Sequence, residues 1–200
     1  MDATYFSQFC LVVYQEDKDL TKLLLLGVKL ERITCDGAKS ILKAIQKTNK
    51  DIVVQRCLVP IQRMCLIWLT KYPKHQSEQE LRRHILLFLK IRTNNDRTWW
   101  INELNLWHER YKAYINEKTI NPETERYWYT HKLLRRSYFT IKRALPNMFH
   151  YLENPNIPKT TNGIEGYFSH LKNHLDLHRG LTLKNRINFI KWYIYFSNEK

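Results

Sequence analysis

The periodicity of the chain changes once, at Pro60, and that single switch restricts the folds open to it more than any other feature. Before it, short apolar runs alternate with helical patterns. "ATYFSQFCLVVYQ" at 3–15 is rich in aromatic and β-branched residues and reads as strand, a hairpin bending near Ser7-Gln8. Leu20–Leu30 reads as a short helix, "RITCDG" as a brief strand ending at Asp36-Gly37, "AKSILKAIQK" as a helix and "DIVVQ" as one more strand. That order is an α/β pattern. From Pro60 to about Asn154 the apolar residues instead recur with the 3.6 period of helices. A capping box is expected at Ser77–Glu80, ahead of Leu81, Ile85 and Phe88. Trp100, Leu104, Trp107, Tyr111 and Ile115 share one helical stripe, which reads as core. Pro122 of "NPET" is expected in the first turn of a helix bearing Leu134, Tyr138, Ile141 and Leu145. "ENPNIPKTTN" reads as a linker to two last helices, about 163–177 and 182–197. The fold class expected is α/β, mostly helical, with a reduced sheet and an all-helical insertion. Residues 1–59 form the first part of the core, 60–158 the insertion and 159–200 the closing core helices.

Charge narrows the partners. Of the 200 residues, 33 are Lys or Arg and 19 Asp or Glu, for a net charge of +14, which calls for a polyanion, DNA first. The excess is concentrated late, with 13 basic against 5 acidic residues after position 123. The cysteines Cys10, Cys35, Cys57 and Cys65 form no CxxC pair and lie in or beside apolar runs, as reduced buried thiols do. "LTKLLLLGV" is too short to span a bilayer, and acids near the start argue against a signal peptide. A cytoplasmic, nucleoid-associated protein with no membrane partner is the expectation.

Asp2, Asp36 and Glu165 are the candidate chemistry. Acids at two strand ends and at the opening of a late helix can converge, and hard carboxylate oxygens hold Mg²⁺ (or Mn²⁺); two such ions activate water and stabilise a leaving oxygen in phosphodiester cleavage. Each acid also has a structural reading. Glu165, three residues after Asn162, fits the N3 position of a capping box, Asp36-Gly37 fits an ordinary turn, and Asp2 a frayed end. His170, His174 and His178 stand at i, i+4 and i+8, a spacing that can chelate Zn²⁺ or simply decorate a polar face. If Ile164, Phe168, Leu171 and Leu175 form the buried stripe of that helix, Lys172, His174 and Arg179 are left for phosphates or for solvent. Arg135 and Arg136, in "HKLLRRSY", are further nucleic-acid candidates.

"DATYF" at Asp2, "ITCDGAKSILKAI" around Asp36, "VVQRCLVPIQRM" around Cys57, "WHERYKAYINEKTINPETERYWYTHKLLRRSY" and "TTNGIEGYFSHLKNHLDLHRGLT" resemble, in order and over nearly the whole chain, the successive blocks of bacterial insertion-sequence transposases of the Mutator-like DDE type. The resemblance implies a ribonuclease H-like core interrupted by a helical insertion, with Asp2, Asp36 and Glu165 as the three metal-binding acids. It further implies DNA cutting and joining at the ends of a mobile element, through two Mg²⁺ or Mn²⁺ ions. Transposon-end and target DNA, a second copy or a full-length transposase are the partners it implies. Three departures accompany it. Only Met1 precedes Asp2, where such transposases carry a DNA-binding region and a core strand. The segment "EDKDLTKLLLLGVKLE" is shorter than the family's, and Pro60 stands where the family's Cys-x-x-His places His. A truncated, internally shortened and defective copy is therefore the expectation, the alternative being a non-catalytic remnant that binds DNA or a transposase.

Overall fold

The computed structural model describes the backbone of residues 2–5, 10–13, 31–48 and 51–198, with side chains from Glu31 onward except at Ser40, Ala44, Thr48, Ile164, Phe168 and Asn198. The chain forms two compact units, 1–160 and 161–200, each treated by itself below. The helix expected at Leu20–Leu30 and the bend expected at Ser7-Gln8 lie outside the described residues.

In the first unit β1 (Asp2–Tyr5) pairs antiparallel with β2 (Cys10–Val13), Asp2 opposite Val13, which gives the expected hairpin. β3 (Arg32–Cys35) pairs in parallel with β4 (Val53–Arg56), the crossover being α1 (Lys39–Thr48). β1 also comes alongside β3. Ile33, Thr34 and Cys35 are all buried, as expected of a parallel strand covered on both faces. Ile33 and Cys35 pack with Ile41 and Ile45, one helical turn apart on α1, and with Ile52. The hydroxyl of buried Thr34 donates to the Pro158 carbonyl at 3.0 Å, so the polar atom on that face keeps a partner.

The helical block supplies a second core. α2 (Leu58–Trp68) buries Leu58, Ile61 and Cys65, and Pro60 falls in its first turn, where a missing N–H costs nothing. α3 (Gln76–Leu87) and α4 (Asn94–Ile115) clasp each other through Trp100 and Trp107, whose indole N–H groups donate to the carbonyls of His84 and Ser77 at 3.0 Å each. Trp100, Leu104, Trp107 and Ile115 are buried as the stripe predicts, with Tyr111 partly so. α5 (Lys132–Ala144) adds Leu134, Tyr138 and Ile141. Gln55, fully buried on β4, joins the two cores: its amide donates to Met148 O at 2.8 Å and its carbonyl accepts from Tyr151 N at 3.3 Å.

Four local expectations are corrected. The N-cap of α3 is His75, whose Nδ1 accepts from Ser77 N, and Ser77 lies buried inside the helix. The capping box of the block is instead at Thr93 and Asp96, each side chain accepting from the other's backbone N–H at 3.1 and 3.0 Å. Pro122 does not open a helix. It lies in the turn of a hairpin, β5 (Lys118–Ile120) with β6 (Tyr127–Tyr129), in which Asn121 Oδ1 accepts from Glu123 N and Thr124 N, so the insertion is not all-helical. The Asn side chain offers the backbone a turn in place of the first helical bonds. The linker is docked: Ile157 is buried, and Lys159 O accepts from Leu58 N at 3.1 Å.

The second unit consists of α6 (Asn162–Leu177) and α7 (Leu183–Asn198), and Leu171 and Leu175 are buried as expected. Among the described residues no helix is long and apolar enough to cross a membrane.

Candidate active site

Asp36 is the first residue beyond β3, at the carboxyl end of the parallel pair. Crevices beyond the carboxyl ends of parallel strands are where α/β sheets take ligands. One oxygen, Oδ1, accepts from Ala38 N at 2.7 Å, an Asx turn that steers the chain from strand into α1. Gly37 follows with φ of +82°, a backbone conformation open to glycine at little cost. Leu42 N then donates to Ala38 O and closes the first helical turn. The carboxylate is thus oriented by its own backbone and only half-buried, with acceptor capacity left over for a hard cation.

Arg56 ends β4 in register with Cys35. Its Nη2 donates to the Asp36 carbonyl at 2.8 Å, and its guanidinium lies over Gly37, where a Cβ would collide with it. Its Nε is buried and has no hydrogen-bond partner among the described residues. The sequence reading missed Arg56. The available signal was its place one residue past "DIVVQ", matched across the sheet to the end of "RITC".

Of the other two acids, Asp2 opens β1 beside β3, and its side chain lies outside the described residues. Glu165 belongs to the second unit, where it is exposed and its Oε1 accepts from the Thr161 hydroxyl at 3.2 Å. The N-cap of α6 is Thr161, so Glu165 is the fourth helical residue and the Asn162 capping box does not form. Glu165 N donates instead to Thr161 O, an ordinary helical bond. The Glu165 carboxylate offers hard oxygens of the kind that bind Mg²⁺ or Mn²⁺. Among the described residues no three His, Cys, Asp or Glu side chains gather into a metal-holding group.

The candidate phosphate contacts divide. Lys172 and Arg179 are exposed on and just past α6, Arg179 Nε donating to Asp176 O at 3.2 Å. His174 is less free than the helical stripe suggests: it is half-buried, its ring 4.9 Å from that of His170 and 5.9 Å from that of Tyr193. His170 shares a 3.3 Å hydrogen bond with the Tyr193 hydroxyl, and His178 packs near Phe189. In the first unit the Arg135 guanidinium lies 3.9 Å from the Tyr129 ring centre and 4.4 Å from that of Phe139, and it bonds Asn116. Arg136, exposed, lies 4.4 Å from the ring centre of Trp68. Cation–π stacking holds both guanidinium groups on aromatic faces.

Cys35, Cys57 and Cys65 are buried as expected and form no disulfide among the described residues, while the side chain of Cys10 lies outside them. Burial pushes the Cys65 thiol up to about 12, against the smaller opposing effect of its hydrogen bond to Ser137, so it carries no nucleophilic chemistry near neutral pH.

Searches of protein-family models, of curated proteins and of solved structures each found no match to this chain.

Proposed function

We propose that this protein is a defective copy of a DDE-type transposase, with a ribonuclease H-like core of the class that cleaves and joins DNA strands at the ends of a mobile element. The observation that carries the reading is the seat of Asp36: a half-exposed carboxylate just beyond a parallel strand, with one oxygen held by the Ala38 N–H. Support comes from β1, which opens with Asp2 and runs alongside that same strand. The charge of +14 and the ordered sequence blocks point the same way.

In this reading Asp36, Asp2 and Glu165 hold Mg²⁺ or Mn²⁺. When bound, such an ion polarises the phosphodiester and makes a water or a DNA 3′-hydroxyl a competent nucleophile near neutral pH. The protein's own share is positional. The Ala38 N–H fixes one Asp36 oxygen, and the Thr161 hydroxyl fixes one oxygen of Glu165. Lys172, Arg179 and Arg136 meet backbone phosphates, which sets register without reading bases.

The test is nicking of duplex DNA with Mg²⁺ or Mn²⁺ by the native chain, Asp36→Asn and Glu165→Gln, with DNA binding measured alongside. DNA binding without nicking under either metal is the expected result, and absence of DNA binding overturns the transposase reading. Metal-dependent nicking in the native chain, lost in both variants while binding persists, would show a working enzyme and overturn the defect.

A further inference from the structure

On the reading that Asp36 is a metal ligand, we propose that Arg56 is its positioning residue, a latch that holds the Asp36-Gly37 turn in the conformation that aims the carboxylate. Three features converge on it. The guanidinium donates to the Asp36 carbonyl across the ends of two parallel strands. It also occupies the space above Gly37, so the turn's positive φ and the missing side chain are both used. Its Nε is buried and unpaired among the described residues, a cost that folded chains seldom carry without return. A cation placed there only for packing would not need that geometry. Groups that orient a metal ligand commonly change metal affinity when removed, by ~10- to 100-fold.

The latch and plain electrostatics predict opposite signs. A guanidinium beside a cation site repels the ion, so removing its charge without disturbing the turn would tighten metal binding. Loss of the latch weakens it. Mn²⁺ binding, followed by the EPR signal of the free ion, is measured on the native chain and on Arg56→Met, Arg56→Lys and Asp36→Asn. Amide exchange at Ala38 and the thermal midpoint are recorded for each.

The expected result for Arg56→Met is Mn²⁺ affinity lower by ~10-fold, faster exchange at Ala38, and a folded protein. Arg56→Lys, which can still donate to the carbonyl but cannot cover Gly37, falls between, and serves in place of Arg56→Met if that variant does not fold. Unchanged or tighter Mn²⁺ binding in the Arg56 variants, with Asp36→Asn weakened, overturns the latch alone. Equal affinity in the native chain and Asp36→Asn overturns the metal reading itself, and the latch with it.

Discussion

His84 makes the stability of the helical block depend on pH. Its ring stacks on Trp100 with centroids 4.5 Å apart, and its Nε2 lies 2.9 Å from the Trp100 carbonyl, to which it must donate. The Trp100 indole returns a bond to His84 O. Burial is the larger influence and lowers the pKa from 6.5 to about 4, the carbonyl bond opposing it. The folded ring is therefore neutral where an unfolded one has already taken a proton. Stability is complete above pH 6.5, declines as pH falls below it, and the decline is finished near pH 4. The full interval corresponds to about 3 kcal/mol at 1.36 kcal/mol per pH unit. Between pH 7 and pH 5, after allowing for solvent screening of a half-buried ring, ~1–2 kcal/mol remains. Urea unfolding of the native chain and of His84→Gln, which can still donate to the carbonyl, measures it. The native chain should lose ~1–2 kcal/mol more than the variant on going from pH 7 to pH 5. His108, also lowered, chiefly by burial and then by Lys142, is present in both proteins and cancels. Equal losses in the two proteins would refute the assignment.

Duplex DNA should bind without sequence preference, its affinity falling steeply with salt because each neutralised phosphate releases counterions; a flat salt titration would remove the electrostatic basis for DNA as partner. Thr93→Ala removes the side-chain acceptor of the capping box on the 22-residue α4 and should lower stability by ~1 kcal/mol in urea, whereas Ser77→Ala should not act as a cap mutation. Gly37→Ala should cost ~1–2 kcal/mol for its positive φ alone and more in total, because it also displaces Arg56. In the Arg56→Met background the excess should vanish, and a double-mutant cycle with no coupling would contradict the packing of Arg56 over Gly37.

The strands and most helices were legible because burial imposes their periods. Ile33 to Cys35 and the Trp100 stripe could satisfy their surroundings in few other ways. The misread positions are those where several polar groups compete for the same backbone N–H. Ser77-x-x-Glu80 and Thr93-x-x-Asp96 carry the same signature, and a histidine two residues before Ser77 took the cap. Asn121 captured the N–H groups that a helix start at Pro122 would have used, while the aromatic run Tyr127–Tyr129 was the unread strand signal. At the candidate site the turn at Asp36-Gly37 was readable from two residues. Arg56 was not, since its relation to Asp36 runs through the pairing of strands twenty residues apart. Glu165 moved from third to fourth helical position because Thr161, not Asn162, is the N-cap of α6. A shift of one residue separates a capping acid from one whose carboxylate is held by a hydroxyl.

The proposed function depends most directly on Asp36 acting as a metal ligand. Fe²⁺ exchanged for Mg²⁺ in the presence of ascorbate and peroxide generates hydroxyl radicals that cut the polypeptide close to the ion, and mapping the fragments locates it. Cleavage is expected near residue 36, competed away by Mn²⁺ and abolished by Asp36→Asn. Cutting that spares the segment around residue 36, or that persists unchanged in Asp36→Asn, would contradict it.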